Sequence, residues 1–343
     1  MLVNSKKQEI EPQEPLVSVI IPTYNRPSYL REAIASVVQQ TYTNLEIIVS
    51  DDCSSEHPQP IIDAFQDARI RLRRNPTNLG IGLNATYAFQ DARGKYIASL
   101  NDDDLWCPDF LEKLVLPLEA EPDLVLAFCD YAIIDSEGAI DYAATEKQSR
   151  REKRHQLQAG IYQPFWELGL INRSVFAASA ALIRREGVAW ERLQEAGVFW
   201  DYYISYLACR SGRGAYYCPE RLACYRVHAQ SENMTSGNRD AQAKIRKGKA
   251  GIACYESFIA DAPTPKLRAH FEREWAYANT TLGIGLLRAN QAIAARPYLL
   301  RSLQQQKFNV RTIVALALSF IPQTLASPFL NMRNIFAEYS NHL

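Results

Sequence analysis

Apolar and polar positions along the first 130 residues fall into blocks of two periods. LVSVIIP (16–22), LEIIVSDD (45–52), IRLRRN (70–75) and YIASL (96–100) are short runs rich in apolar and β-branched residues. Runs of that length and composition suit strands buried on both faces of a parallel sheet. Between them the spacing changes. Leu30, Ala33, Ile34, Val37 and Val38 recur at helical intervals within Ser28–Gln40, with Ser28 as the expected N-cap and Glu32 close to a capping-box position. IIDAFQ and NLGIGLNATYAFQDARG, the latter ending at Gly94, read as further helices. This β-α-β-α-β-α-β alternation predicts an α/β fold with a doubly wound, mostly parallel sheet and ligands at the carboxyl ends of its strands.

Beyond Pro108 the pattern predicts a helix (109–118), a strand in LVLAFCDYAII (124–134) and a polar stretch from 135 to 158. SRREKRH within that stretch is either a solvated charge run or a loop that closes over an anionic donor. Residues 161–181, rich in small and apolar side chains, are expected to build an acceptor pocket from strand and helix. GVFWDYYISYLACRSG reads as a helix starting near Asp201 and stopped by Gly212, followed by a strand around Leu222–Arg226. From Asn238 the chain becomes helical and Ala- and Arg-rich. The expected organisation is a flexible tail (1–15), a catalytic domain (16–237, with halves 16–130 and 131–237) and a C-terminal helical region (238–343). No residue between Arg311 and Arg333 is charged, but Pro322, Gln323, Thr324 and Pro328 break the apolar run. A packed helical hairpin or a surface-lying membrane contact through 312–330 is expected there, not a spanning helix.

Composition narrows the classes. Lys plus Arg and Asp plus Glu both number 38, so no basic field argues for nucleic acid. Seven scattered cysteines without C-x-x-C read as reduced thiols in a cytoplasmic setting. The polar N-terminal residues contain no signal-peptide core. The cytoplasm is the expected location, with the inner face of the plasma membrane as the surface that 312–330 would touch.

The densest chemistry lies in YIASLNDDDLW, where an apolar run ends in Asp102, Asp103 and Asp104. Three adjacent carboxylates repel one another, and a hard divalent cation holding substrate phosphates would compensate them. A solvated acidic turn is the alternative for the triplet taken alone. No G-x-G-x-x-G follows the first strand and no G-x-x-x-x-G-K-[ST] occurs. Phosphates must then be held by metal and side chains.

Three stretches, VSVIIPTYNRPSYLREAIASVVQQTY, LEIIVSDDCS and GKYIASLNDDDLWCPDFLEKL, together resemble the family 2 glycosyltransferases, inverting enzymes of the GT-A fold. The resemblance is close over about Leu16 to Asp130 and looser to Ser231. It implies transfer of a sugar from a UDP- or dTDP-sugar to a hydroxyl of a saccharide or lipid-linked acceptor, in cell-surface polysaccharide, lipopolysaccharide or glycolipid synthesis. It implies a donor site at Pro22, Tyr24 and Asn25 of PTYN, with the Tyr24 ring against the base. Asp52 would accept from the uracil or thymine ring N–H, with Asp51 beside it, and Asn84 would lie near the ribose and phosphates. Asp102 would approach the ribose, Asp103 stand between, and Asp104 reach Mn²⁺ or Mg²⁺, with His228 completing the metal shell and Arg226 pairing with phosphate or the acidic cluster. Asp201 matches the family's base, although Trp200 stands where an acid is usual; a helix N-terminus would keep Asp201 ionised. The alternatives are a non-catalytic nucleotide-sugar-binding protein and a nucleotidyltransferase, the latter needing a Gly-rich basic loop where PTYNRP stands.

Overall fold

A computed structural model describes residues 14–228 and 240–330. Its centre is a nine-stranded mixed sheet. The strands are β1 (Val17–Thr23), β2 (Leu45–Asp51), β3 (Ile70–Arg74), β4 (Tyr96–Ser99), β5 (Leu105–Trp106), β6 (Leu124–Ile134), β7 (Gly160–Tyr162), β8 (Ala181–Arg184) and β9 (Gly214–Arg226). Their order is β3-β2-β1-β4-β8-β6-β9-β5, with β7 on β9. β1, β2, β3 and β4 are mutually parallel, as the alternating blocks require. β8 runs antiparallel to both β4 and β6, so the second half of the sheet is mixed.

Period-2 side-chain alternation divides the core between the two faces of this sheet. Val17, Val19 and Ile21 pack with Leu30, Ile34 and Val37 of helix α1 (Pro27–Val38) and with Phe110 and Leu114 of α4 (Phe110–Ala120). Ile20, Ile48 and Ile97 face the other way, onto Ala85 and Phe89 of α3 (Ile81–Gln90). Every residue of β1, β2, β4 and β6 is buried, which explains why these segments read as continuous apolar runs. Helix α2 (Gln59–Asp63) is a short surface turn at this end.

One stretch departs from the sequence expectation. The polar segment after β6 forms helix α5 (Tyr142–Arg151), capped by the Asp141 side chain on the Ala144 N–H. Arg150 and Arg151 are solvated, but Arg154 is buried, with Nε 2.7 Å from Asp130 and its guanidinium 3.7 Å above the Tyr131 ring. It is an internal ion pair that ties α5 to β6, not part of a closing loop. The C-terminal region is helical, as expected, and packs on the sheet domain: Cys254, Tyr255, Phe258 and Phe271 of helices α7 (Ala241–Asp261) and α8 (Pro265–Arg288) share one core with Trp200, Tyr203 and Tyr206 of α6 (Trp200–Arg210). The boundary expected at 237–238 lies outside the described residues, as does most of the N-terminal tail. The apolar stretch forms α10 (Val310–Leu318) and α11 (Gln323–Leu330), packed with α9 (Ala292–Gln305) around Leu299, Ala315 and Leu330. Among the described residues no helix is long and apolar enough to cross a membrane. All seven cysteines are free thiols.

One close approach joins the two faces of the future site. A Cβ at Gly82, in the first turn of α3, would sit 2.4 Å from the carbonyl oxygen of Gly197 and 2.9 Å from its Cα. Backbone cannot yield as a side-chain tip can. Gly82→Ala is therefore expected to cost about 1–3 kcal/mol of stability, read as a lower urea midpoint, because α3 must part from the segment leading into α6.

Candidate active site

The carboxylate triplet hangs between two strands. β4 ends at Ser99, and β5 pairs antiparallel with Ala223 and Cys224 of β9. The intervening residues 100–104 are thereby fixed at both ends. Asp104 points inward and is fully buried. Its Oδ2 accepts from Ser179 Oγ (2.6 Å) and Asn101 Nδ2 (3.0 Å), and its Oδ1 from the Arg226 backbone N–H (2.9 Å). Burial and then the charge of Asp103 still push this carboxyl up to about 8. Asp102 accepts from Thr23 Oγ1 (2.7 Å) and from Arg26 Nη1 (3.1 Å); burial and Asp103 raise it to about 6. Asp103 Oδ2 lies 2.9 Å from Arg26 Nη1 and 3.0 Å from His228 Nε2. The Arg226 guanidinium holds the Asp103 carbonyl through Nε (2.8 Å) and pairs with Glu32 (2.6 Å), while the His228 ring packs on Tyr29.

Asp104 is fully buried and accepts three hydrogen bonds from protein donors, so it braces the loop, and the solvent-side position expected of a metal ligand passes to its neighbour. Asp103 is the carboxylate that meets His228, with Asp102 next to it. Crowded, desolvated carboxylates beside an imidazole fit a divalent cation by donor chemistry. Among the described residues no group of three or more His, Cys, Asp or Glu is disposed to hold a metal by itself. The set fits an ion that also takes oxygens from a bound diphosphate. Arg226 makes its ion pair with Glu32 and holds the triplet through the Asp103 backbone carbonyl, not through a carboxylate of the acidic cluster.

At the carboxyl ends of β1 and β2 the expected donor residues separate into two kinds. Tyr24 is 46% exposed, an aromatic face offered to solvent directly after β1. Asn25 adopts φ +55° and ties two loops together, accepting from the Ser55 N–H (2.8 Å) and donating its own N–H to Ser54 Oγ (2.8 Å). Pro22 is buried inside β1 opposite Ser50 and offers no surface to a ligand. Asp51 caps a turn at the Ser54 N–H and pairs with Arg74 (2.8 Å). Asp52 accepts from Asn75 Nδ2 (2.8 Å), the Leu79 N–H (2.9 Å) and the Gly80 N–H (2.8 Å). It shapes the loop entering α3, and one of its four lone-pair directions takes no hydrogen bond from the described residues. Asn84 is removed from the donor site: it is fully buried and its amide is consumed by Ser50 and Asn75.

Asp201 lies in the first turn of α6. Its Oδ1 accepts from the Tyr202 N–H (2.7 Å), and its Oδ2 accepts no hydrogen bond from the described residues. The residue is half-buried at the surface yet walled in by protein, and burial raises its carboxyl above the ordinary range, against the pull of the Tyr202 N–H and of Arg173. Trp200 turns into the core, its ring centroid 6.4 Å from that of Phe89. The Gly82–Gly197 contact sets this turn of α6 against the start of α3, whose preceding N–H groups bind Asp52.

Sequence reasoning missed Arg26, Thr23 and Ser179. Arg26 stands beside the PTYN signal; Ser179 has no local signal at all, being 75 residues from Asp104.

Comparison with known proteins adds an independent line. A family model described as Glycosyl transferase family 2 matches residues 18–187. An uncharacterized glycosyltransferase of Rickettsia typhi is 30% identical over 226 residues, covering 66% of this chain and 68% of that protein. TuaG of Bacillus subtilis, provisionally named a teichuronic acid biosynthesis glycosyltransferase, is 34% identical over 127 residues, 36% of this chain and half of its own length. Among solved structures, S. aureus TarS 1-349 in complex with UDP-GlcNAc superposes with a TM-score of 0.59 at 14% identity, over 91% of both chains. The mannosyltransferase PcManGT from Pyrobaculum calidifontis, in complex with GDP-Man and Mn²⁺, gives 0.54 at 18% identity, over 95% of this chain and 88% of its own. These likenesses establish a GT-A-type fold.

Proposed function

Because this chain belongs to glycosyl transferase family 2, we propose that it is an inverting, metal-dependent enzyme moving a sugar from a UDP- or dTDP-linked donor to a hydroxyl acceptor of a saccharide or lipid-linked chain, in the synthesis of a cell-surface polysaccharide, lipopolysaccharide or glycolipid. The observation that carries this reading is the convergence of Asp102, Asp103 and His228 at the strand ends, where Arg26 bridges the two carboxylates and His228 meets Asp103.

Each residue then has a task. Tyr24 stacks on the base, and Asp52 accepts from its ring N–H, which a cytosine lacks. Asp103 and His228 would hold Mn²⁺ or Mg²⁺, with Asp102 turned to the ribose side. When bound, the cation neutralises charge on the departing nucleoside diphosphate. Asp201 Oδ2 takes the proton from the acceptor hydroxyl as that oxygen bonds to the anomeric carbon, and the anomeric C–O bond breaks with its electron pair leaving on the diphosphate. A base on the opposite face from the leaving group gives inversion.

Tyr24→Ala is expected to weaken UDP binding by about 1–3 kcal/mol, read calorimetrically with Mn²⁺ present. Unchanged affinity would remove the stacking role.

We also propose peripheral membrane contact through 312–330, supported by Ile313, Phe320, Ile321, Leu325 and Phe329, all large, apolar and exposed on α10, α11 and the turn between them. In liposome flotation, serine at Phe320, Leu325 and Phe329 together should abolish co-flotation; equal flotation of that variant would sink the idea.

A further inference from the structure

Arg26 breaks the local rules of its own position. It is the N-cap of α1, where Ser, Thr, Asp and Asn are favoured because their side-chain oxygens accept from the first turn, and it makes no such capping bond. A cation there also faces the positive end of the helix dipole, and no acidic residue lies in the first turn to offset it. The main chain around it is nevertheless fixed. The Arg26 carbonyl accepts from the Leu30 N–H (3.0 Å), and the preceding Asn25 is tied to Ser54 and Ser55. A residue that opposes local preference on a fixed backbone is held there by what its side chain does elsewhere.

That side chain goes to the carboxylates. One nitrogen, Nη1, lies 3.1 Å from Asp102 Oδ1 and 2.9 Å from Asp103 Oδ2. Asp103 Oδ2 is also the atom that lies 3.0 Å from His228 Nε2. The oxygen that with His228 would hold a divalent cation therefore already carries a guanidinium. Both carboxylates are buried, whereas Arg26 keeps part of its side chain in solvent and reaches them from the open side.

Resting on the metal-dependent reading above, we propose that Arg26 is the resident counter-ion of the acidic cluster and a positioning residue for the donor: it holds the Asp103 oxygen in the resting protein, weakens the cleft for a divalent cation alone, and turns to the diphosphate of the nucleotide as that anion enters. Two cations on one oxygen repel, so the guanidinium opposes a bare metal ion. Its planar fork matches phosphate oxygens as well as it matches a carboxylate, so an entering diphosphate can draw it away and lift that opposition. Metal and nucleotide then favour each other by more than their direct contact, and the coupling is reciprocal.

The test is isothermal titration with Mn²⁺, without and with UDP, on the full-length protein and on Arg26→Gln and Arg26→Lys. Without UDP, Arg26→Gln should bind Mn²⁺ about tenfold or more tighter than wild type at low ionic strength. Arg26→Lys keeps the charge and should stay close to wild type. The gain in Mn²⁺ affinity on adding UDP should be smaller in Arg26→Gln than in wild type. A residue that merely braced α1 would lower the melting temperature and leave Mn²⁺ affinity no higher. Folded Arg26→Gln with unchanged or weaker Mn²⁺ binding would overturn the proposal. A second measurement needs no charge-removing variant: in wild type, the Arg26 Nε–H signal, assigned through its loss in Arg26→Lys, should shift with UDP plus Mg²⁺. No shift there would also overturn it. Wild type that binds no UDP with either metal would instead overturn the donor reading, so the two failures are separable.

Discussion

Asp201→Asn is expected to abolish sugar transfer while leaving donor binding intact: turnover should fall by about 10²–10⁴-fold, the range supplied by a positioned general base. The Tyr202 N–H bonds Oδ1 and can equally bond an amide oxygen, so the side chain should stay in place. What is lost is the second oxygen, which accepts no hydrogen bond from the described residues and can receive a proton. The fold should not suffer. The Asp201 carboxyl is raised above its unfolded value by burial, so its stabilising contribution is complete below the ordinary carboxylate pKa and is lost as pH rises through the higher folded value. At neutral pH the charged form is therefore a small burden, and a neutral amide should be tolerated. The same shift fixes the pH profile. A base must be ionised, so kcat should fall on the acid side at a pH above the ordinary carboxylate value of 3.8. Full turnover in Asp201→Asn, with a normal melting temperature, would place the base elsewhere.

The second large effect separates two neighbours in the triplet. Asp103→Asn should leave the protein folded and cut Mn²⁺ affinity, and Mn²⁺-dependent UDP affinity, by about 100-fold or more, since removing even an indirect support of a metal ligand costs 10–100-fold. Asp104→Ala should act differently. It strips the acceptor from Ser179, Asn101 and the Arg226 N–H in a fully buried position, leaving donors unpaired at about 1–3 kcal/mol for the first alone. Its signature is a lowered melting temperature in the absence of any ligand. Isothermal titration with Mn²⁺ and thermal melts of both variants decide the matter; a stable Asp104→Ala that binds no metal would return the ligand role to Asp104.

This division could not be seen in DDD itself. Three identical letters carry no record of which side chain turns inward, because the deciding partners are 75 and 122 residues away in sequence. Asn84 was misread for the same reason: its helix position was legible, but the amide is consumed by Ser50 and Asn75 on neighbouring strands. By contrast the strands β1, β2 and β4 were readable residue by residue, since a parallel strand buried on both faces leaves an unbroken apolar run. Helix α1 announced itself through Leu30, Ala33, Ile34 and Val37, all buried as the spacing required. SRREKRH shows the limit of composition: five basic residues read as one solvated run, yet Arg154 is an interior ion pair to Asp130, whose sequence position gives no hint of it. The role of the C-terminal helices was likewise illegible, since Gly248 and Gly251 of α7 mark close approaches to Leu282 and Ala278 that only the folded chain brings together.

The central claim is that this cleft performs inverting sugar transfer from a nucleotide donor with a divalent cation. The most direct measurement is turnover of a panel of α-linked UDP- and dTDP-sugars, with and without EDTA, followed by NMR of the anomeric configuration of the released or transferred sugar. The expected result is EDTA-sensitive turnover that yields the β-configured product. An α-configured product, or turnover that EDTA leaves untouched, would contradict it.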